Sequence, residues 1–148
     1  MKAKLSTFLF LIILGSIFII TSFTLPTDDQ FPHFDIHASF EITELQKKHH
    51  KNAQNDVPEC LHWELEATTI KKILPTSRII VGSEWHHLFD HYACGYELEL
   101  LQNNVSYTCT VNGGAWFTIE ENDALVFYGS FEDDINSYFI SGPWKEEE

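Results

Sequence analysis

The segment from residue 83 to residue 92 concentrates side chains that can bind a metal ion. His87 and His91 are four residues apart, and His86 and Asp90 have the same spacing. If the segment is a helix, each pair shares one face, and two imidazoles at that spacing can bind one zinc or copper ion. A further ligand would have to come from elsewhere, and His62 is the first candidate. The pattern therefore predicts a zinc or copper site, with His62, His86, His87, Asp90 and His91 as candidate ligands.

Two other interpretations of this segment stay open. Histidine pairs on solvated helix faces are common without metal, and the glutamate between histidines that metalloproteases use is missing here. Cys94 follows His91 by three residues, so an imidazole beside the thiol could lower its pKa and make it a nucleophile. The chain contains no G-x-S-x-G motif and no phosphate-binding glycine loop. No residue is therefore assigned a catalytic role, and an enzyme is not favoured.

Three cysteines, Cys60, Cys94 and Cys109, are the candidates for a disulfide bond. If Asn103-Asn104 forms a two-residue turn, Leu98 lies opposite Cys109, and Cys94 lies four residues beyond it. At about 3.3 Å per residue that distance is too long for a disulfide, unless the chain bends back before the strand. Pairing of Cys60 with Cys94 or with Cys109 remains open. Cys109 also fits a buried apolar position of its strand.

Aromatic residues are abundant, at 14% of the chain, and some fall where a strand should face outward. Trp116 alternates with Phe117, and Trp144 lies near the end of the chain. An exposed aromatic strip on a sheet predicts an interaction surface for a protein or a carbohydrate, with Trp116 and Trp144 as its residues. The alternative is a second buried face, covered by a helix that contains Trp85.

The N-terminal residues 1–24 predict a signal peptide or a membrane anchor. Lys2 and Lys4 precede an apolar stretch from Phe8 to Ile20, and this order is typical of an export signal. About 20 apolar residues would also just span a bilayer, so residues 5–24 would contact the membrane if they are not removed. The rest of the chain is expected outside the cytosol: secreted, periplasmic or on the outer face of a membrane.

The charge of the chain is strongly negative. Lysine and arginine number 9 against 22 aspartate and glutamate residues, which gives a formal net charge of −13 at pH 7. Nucleic acid is excluded as a partner, because binding it requires a basic patch. The segment from Tyr96 to Glu148 contains only one basic residue, Lys145, and its field could steer a cationic protein or a metal ion. Solubility alone is the simpler explanation.

The pattern of apolar residues predicts an α+β fold after the N-terminal segment. Residues 25–57 read as a lead-in with a short helix over 41–53, where Ile42 and Leu45 would share a side. Residues 58–148 read as a globular β-rich domain with one helix near residues 83–93. Period-two runs predict an antiparallel meander of six or seven strands, at 62–67, 78–81, 96–100, 105–111, 115–120, 124–130 and 137–141.

These features predict an exported, acidic, β-rich binding domain, either released or tethered to a membrane. The partner expected is a protein or a carbohydrate outside the cytosol. The alternative function is a metal-binding protein or a metalloenzyme that uses the cluster of His86, His87 and His91. A cysteine-dependent enzyme using Cys94 is a third hypothesis.

Overall fold

A computed structural model describes residues 31–50 and 55–145. The predicted signal or anchor at residues 1–24 lies outside these residues. The described chain is mostly β, with one antiparallel sheet in the order β1-β3-β4-β5-β6-β2. Its strands are β1 (Glu41–His49), β2 (Arg78–Ile80), β3 (Cys94–Gln102), β4 (Val105–Asn112), β5 (Trp116–Glu121) and β6 (Ala124–Gly129). Its short helices are α1 (Glu59–His62), α2 (Ala67–Ile73), α3 (Gly82–Leu88) and α4 (Asp133–Asn136), and a 3-10 turn spans Leu74–Thr76.

Strands β3 to β6 form four consecutive strands of the predicted meander, and tight turns join them. Asn103 and Asn104 connect β3 to β4 with φ values of 52° and 65°, and asparagine tolerates this left-handed region better than most residues. The turn sets the predicted register, in which Leu98 pairs with Cys109. The β5-β6 turn uses Asn122 and Asp123 in the same way, with φ values of 47° and 69°.

The helix predicted over residues 41–53 is wrong, because residues 41–49 form strand β1. This strand pairs with β3, and its register shifts between Ile42 and Glu44. The shift inserts one residue, so Ile42 and Leu45 both face the core, opposite Leu100 and Leu98. Two core residues three apart imitate helical spacing, although a β-bulge produces the spacing here.

Three other predicted elements differ from the structure. The helix expected near residues 83–93 ends at Leu88, because Phe89 is extended, with φ −125° and ψ 141°. The run at 62–67 is not a strand of the sheet: Trp63 and Leu65 are buried in the link between α1 and α2. Residues 137–141 follow α4 and contain no strand.

The two faces of the sheet have different environments. The inner face, which includes Leu98, Cys109, Phe117 and Ile119, belongs to one buried cluster together with residues of α2. The outer face carries the alternate residues of the same strands. Helix α3 packs on its β6 end through Trp85, whose ring lies 5.0 Å from that of Phe127.

A disulfide joins Cys60 to Cys94, with a Cα–Cα distance of 5.5 Å. It links α1 to the first residue of β3, and this is one of the two pairings that the sequence left open. Cys109 is a buried free thiol on the inner face, as its alternation suggested. Within the described residues, no helix combines the length and the apolar character needed to cross a membrane.

Candidate functional site: the acidic outer face of the sheet

Three glutamates form a row across the outer face. Glu44 of β1 pairs with Glu99 of β3, Glu99 pairs with Thr108 of β4, and Thr108 pairs with Glu120 of β5. Paired residues in an antiparallel sheet point to the same side, so these four side chains lie next to one another. Glu44 and Glu120 are exposed, whereas Glu99 and Thr108 are half-buried. We call Glu44, Glu99 and Glu120 the acidic row.

A second row of polar side chains lies beside the acidic row. Glu97 pairs with Gln46 on one side and with Thr110 on the other, and Thr110 pairs with Thr118. The base nearest to this row is Lys48, whose Nζ lies 3.4 Å from Glu97 Oε1. The two rows together make up the acidic face: Glu44, Gln46, Lys48, Glu97, Glu99, Thr108, Thr110, Thr118 and Glu120. It offers four carboxylates against one amine.

Hydroxyl groups hold the central carboxylate of the acidic row. Ser106 Oγ donates to Glu99 Oε2 at 2.9 Å, and Thr108 Oγ1 donates to Oε1 at 3.3 Å. These bonds orient the carboxylate without neutralising its charge. Among residues 31–50 and 55–145, no ion pair includes Glu44, Glu99 or Glu120. Like charges directly opposite each other destabilise a sheet, so the Glu44–Glu99 pair of the acidic row costs stability.

An aromatic cluster borders the acidic face at the β5-β6 side. The Trp85 ring packs edge-on against Trp116 at 5.5 Å and against His91 at 4.2 Å. Trp116 is only half-buried, so part of its ring remains accessible. The Nε1 atom of Trp85 is buried and has no hydrogen-bond partner in the described chain. Helix α3 therefore covers part of the aromatic strip.

Asp90 ties together the two tryptophans predicted as an interaction surface. Its carbonyl oxygen accepts a hydrogen bond from Trp116 Nε1 at 3.0 Å, and its Oδ1 accepts one from Trp144 Nε1 at 3.2 Å. Ser141 Oγ donates to its Oδ2 at 2.7 Å. Trp144 is 66% exposed. Gly114 permits this arrangement, since a Cβ there would overlap the Asp90 carbonyl.

The predicted metal ligands lie in several different places. His86 and His87 are exposed on α3, with ring centroids 5.0 Å apart, whereas His91 follows the helix. The four-residue helical spacing to His91 and Asp90 therefore does not apply. The His91 ring still approaches His86, at 6.3 Å, and its Nε2 lies 3.1 Å from the Trp85 carbonyl oxygen. His62 ends α1, where it lines an open pocket of about 470 Å³ with Trp63, Phe139 and neighbouring residues.

The cysteines leave no reactive thiol beside His91. Cys94 is bonded to Cys60, so it is not a free nucleophile. The hypothesis of a cysteine-dependent enzyme required a free thiol at Cys94. Burial raises the pKa of the Cys109 thiol well above its ordinary range, which keeps it protonated. This thiol is therefore inert in the folded chain.

One cluster escaped the sequence analysis altogether. Ligand atoms of His49, Asp56 and Cys60 lie within 4.8 Å of one another, and no other such group of three occurs in the described parts of the chain. His49 Nε2 and Asp56 Oδ1 are 2.7 Å apart. The sequence predicted a helix over residues 41–53, which includes His49, so nothing linked His49 to the cysteines. The register of β1 brings it opposite Cys94.

Comparison with known proteins adds no further residue assignments. No family model, no curated protein and no solved structure matches this chain.

Proposed function

We propose that this chain is an exported binding domain whose acidic face engages a positively charged protein surface. The observation that carries the proposal is the acidic row, where three glutamates share a face and no base in the described chain neutralises them. A row that costs stability in the free protein is explained if a partner supplies the missing positive charge.

The charge of the whole molecule supports a cationic partner. The net charge of −13 produces a field that attracts basic proteins and raises their rate of encounter. The acidic face then offers specific contacts, since carboxylates bind arginine and lysine through short, charge-assisted hydrogen bonds.

The shape of the acidic face supports a protein partner over a small ligand. Its side chains come from four adjacent strands of one sheet, β1, β3, β4 and β5. Thr110 is exposed, and Thr108 and Thr118 are half-buried, so the surface offers hydroxyl groups beside the carboxylates. Such a broad polar surface resembles the rim of a protein interface, with half-buried Trp116 at its edge as an apolar anchor.

Two features support an exported location for this binding domain. Lys2, Lys4 and the apolar stretch that follows have the order of an export signal. The Cys60–Cys94 disulfide is consistent with an oxidising compartment. If residues 5–24 are retained, the acidic face is presented from a membrane anchor; if they are removed, the domain is released.

Binding of a basic probe protein by charge-matched variants tests the proposal. The full-length chain, kept in mild detergent, is titrated calorimetrically with lysozyme, a small basic protein. The triple variant Glu44→Gln, Glu99→Gln, Glu120→Gln is expected to raise the dissociation constant about tenfold or more.

The matched control carries Glu59→Gln, Glu66→Gln and Glu132→Gln. These glutamates are exposed and lie in or beside helices. Their replacement removes the same total charge from the chain as the triple variant does. The control is expected to change the dissociation constant less than threefold or so. Equal losses in the two variants would show that only net charge matters, and the proposal would be wrong. Competition by a soluble oligosaccharide would point to a carbohydrate partner instead.

A metal-binding role is the second candidate, because three imidazoles lie near one another. His86 lies beside His87 and near His91, with the exposed imidazoles of α3 open to solvent. Zinc and copper titration of the full-length chain, beside the variant His87→Ala, His91→Ala, tests it. Stoichiometric binding that the variant loses would support this function, and binding that the variant keeps would exclude these ligands.

A further inference from the structure

The Cys60–Cys94 disulfide lies beside two other side chains that can bind a metal. The His49 ring, the Asp56 carboxylate and the Cys60 sulfur come within 4.8 Å of one another, and Cys94 is bonded to that sulfur. The two cysteines are buried, and the side chains of His49 and Asp56 are only 17% and 27% exposed. Two sulfurs, an imidazole and a carboxylate therefore meet where the buried cysteines approach the surface.

The fold brings these four residues together through three separate segments. His49 ends β1 and pairs with Cys94, the first residue of β3, while Cys60 lies on α1. Backbone hydrogen bonds fasten the segments, because the amide of His50 donates to the Ala93 carbonyl at 2.9 Å. The amide of Ala93 in turn donates to the Asn55 carbonyl at 3.1 Å, next to Asp56.

We propose that reduction of the Cys60–Cys94 disulfide opens a zinc site formed by His49, Asp56, Cys60 and Cys94. A dithiol supplies two electrons and two protons, the S–S bond breaks into two thiols, and the dithiol becomes a cyclic disulfide. Zinc then binds both sulfurs as thiolates and releases their two protons. In the oxidised chain the sulfurs share a covalent bond and provide no thiolate, so the site is closed.

The geometry of the cluster suits tetrahedral zinc. Zinc bonds of about 2.0–2.3 Å to nitrogen, oxygen and thiolate sulfur place neighbouring ligands about 3.3–3.8 Å apart. The ligand atoms of His49, Asp56 and Cys60 now lie within 4.8 Å of one another, so these three require shifts of about an ångström. The two sulfurs would also move apart once their bond is broken. The imidazole and carboxylate, now 2.7 Å apart, would move apart to accept the ion. This site shares no residue with the acidic face, so its failure would leave the proposed function intact.

Cobalt, a spectroscopic substitute for zinc, tests the proposal. The full-length chain in mild detergent is reduced with dithiothreitol, desalted without oxygen and titrated with Co²⁺, beside the oxidised chain. We expect one Co²⁺ per reduced chain, with thiolate-to-cobalt absorption in the near ultraviolet that zinc abolishes. The oxidised chain should show no such absorption. Equal cobalt binding by both forms would overturn the proposal.

Ligand variants separate this site from other sources of binding. His49→Gln and Asp56→Asn should each weaken binding by the reduced chain about tenfold or more, because each removes one ligand. The neighbouring variant His50→Gln should bind as the wild type does, and so should Cys109→Ala. Loss of binding in His50→Gln or Cys109→Ala, with full binding in His49→Gln, would contradict the assignment.

Circular dichroism covers the case in which the reduced chain unfolds. Zinc is then expected to restore the β-sheet spectrum of the reduced wild-type chain, and this rescue should be lost in His49→Gln. A reduced, unfolded chain that zinc fails to refold would overturn the proposal.

Discussion

Glu44 lies directly opposite Glu99 across the β1-β3 pair, on the outer face of the sheet. The Thr43 hydroxyl donates to the Glu99 carbonyl at 3.2 Å, which fixes β1 close to β3 at this point. Two glutamates thus occupy facing positions on neighbouring strands, and neither forms an ion pair within the described residues. The free protein retains an electrostatic cost that a cationic partner would remove.

Removing one charge from this pair should stabilise the free protein. We expect Glu44→Gln to raise the free energy of unfolding by about 0.5 kcal/mol at low salt, because the like-charge contact disappears. Urea unfolding at low and high salt measures the effect, and the gain should shrink as salt screens the charges. The control is Glu41→Gln, on the same strand opposite Leu101. An equal gain in the control would show that the contact with Glu99 has no special cost.

The disulfide should contribute a large part of the stability. It joins residues 34 apart in sequence. A disulfide that closes a loop of that length adds about 3–4 kcal/mol to the free energy of unfolding. The double variant Cys60→Ala, Cys94→Ala should lower the free energy of unfolding by that amount in urea, without metal. Cys109→Ala, which removes the buried unbonded thiol, should cost about 1 kcal/mol. If the double variant is at least as stable as Cys109→Ala, the disulfide does not make this contribution.

Glu64 should make the stability depend on pH in the acid range. Its carboxylate accepts hydrogen bonds from Lys47 Nζ at 2.9 Å and from the Tyr96 hydroxyl at 2.8 Å. The bond from Lys47, followed by that from Tyr96, lowers the pKa of Glu64 below its ordinary value. A lowered pKa in the folded state means that the stabilisation is complete above the unfolded pKa, about 4.3, and is lost as pH falls through the folded pKa.

The variant Glu64→Gln should therefore be less stable than the wild type at pH 7, and the difference should shrink below about pH 4. Thermal unfolding between pH 3 and pH 7 measures it. Glu59→Gln, an exposed neighbour on α1, serves as the control and should follow the wild type. A gap between Glu64→Gln and the wild type that stays constant over this range would refute the role of the carboxylate.

Arg78 and Glu84 protect the edge of the sheet at β2. Arg78 donates to the Ile79 carbonyl at 3.1 Å and to Glu84 at 2.8 Å, and Glu84 accepts from the Val81 amide at 3.0 Å. These side chains occupy backbone groups that another strand could bind, beside Ile79 and Val81, which are 61% and 60% exposed.

The double variant Arg78→Ala, Glu84→Ala should therefore self-associate more strongly than the wild type. Sedimentation equilibrium measures the association. The control is Lys72→Ala with Glu66→Ala, which removes the same two charges from exposed positions away from the β2 edge. If both double variants associate to the same extent as the wild type, the edge needs no such protection.

Strands β3 to β6 could be predicted because their signals are local. Alternation of apolar residues and turn residues such as Asn103 and Asn104 specify each hairpin, and the register followed from the turn. The same register argued against a Cys94–Cys109 disulfide unless the chain bends back, and Cys60–Cys94 was one of the two pairings left open. Burial of Cys109 also followed from its place in the alternation.

The elements that were missed depend on distant contacts. The bulge in β1 imitates a helix, and only pairing with β3 reveals the strand. Trp63 and Leu65 alternate like a strand, yet they pack into the core beside α1 without joining the sheet. The early end of α3 at Leu88 has no local breaker residue, and the next residue, Phe89, is extended and buried in the core.

The candidate sites were missed for the same reason. The excess of acidic residues was visible in the sequence, but Glu44 and Glu99 are 55 positions apart, so their contact had no local signal. The cluster of His49, Asp56 and Cys60 likewise depends on where β1 ends. The sequence shows which side chains could bind a metal ion or a charged partner. Only the register of the sheet shows which of these side chains lie close together.

Mapping the contact surface by NMR tests the proposed function most directly. The ¹⁵N-labelled full-length chain in mild detergent is titrated with unlabelled lysozyme, and the amide shifts of each strand are followed. We expect the largest shifts at residues 44–48, 97–99, 108–110 and 118–120, and we expect salt to suppress them. Shifts centred on the acidic residues of α4, or spread evenly over the surface, would contradict a binding role for the acidic face.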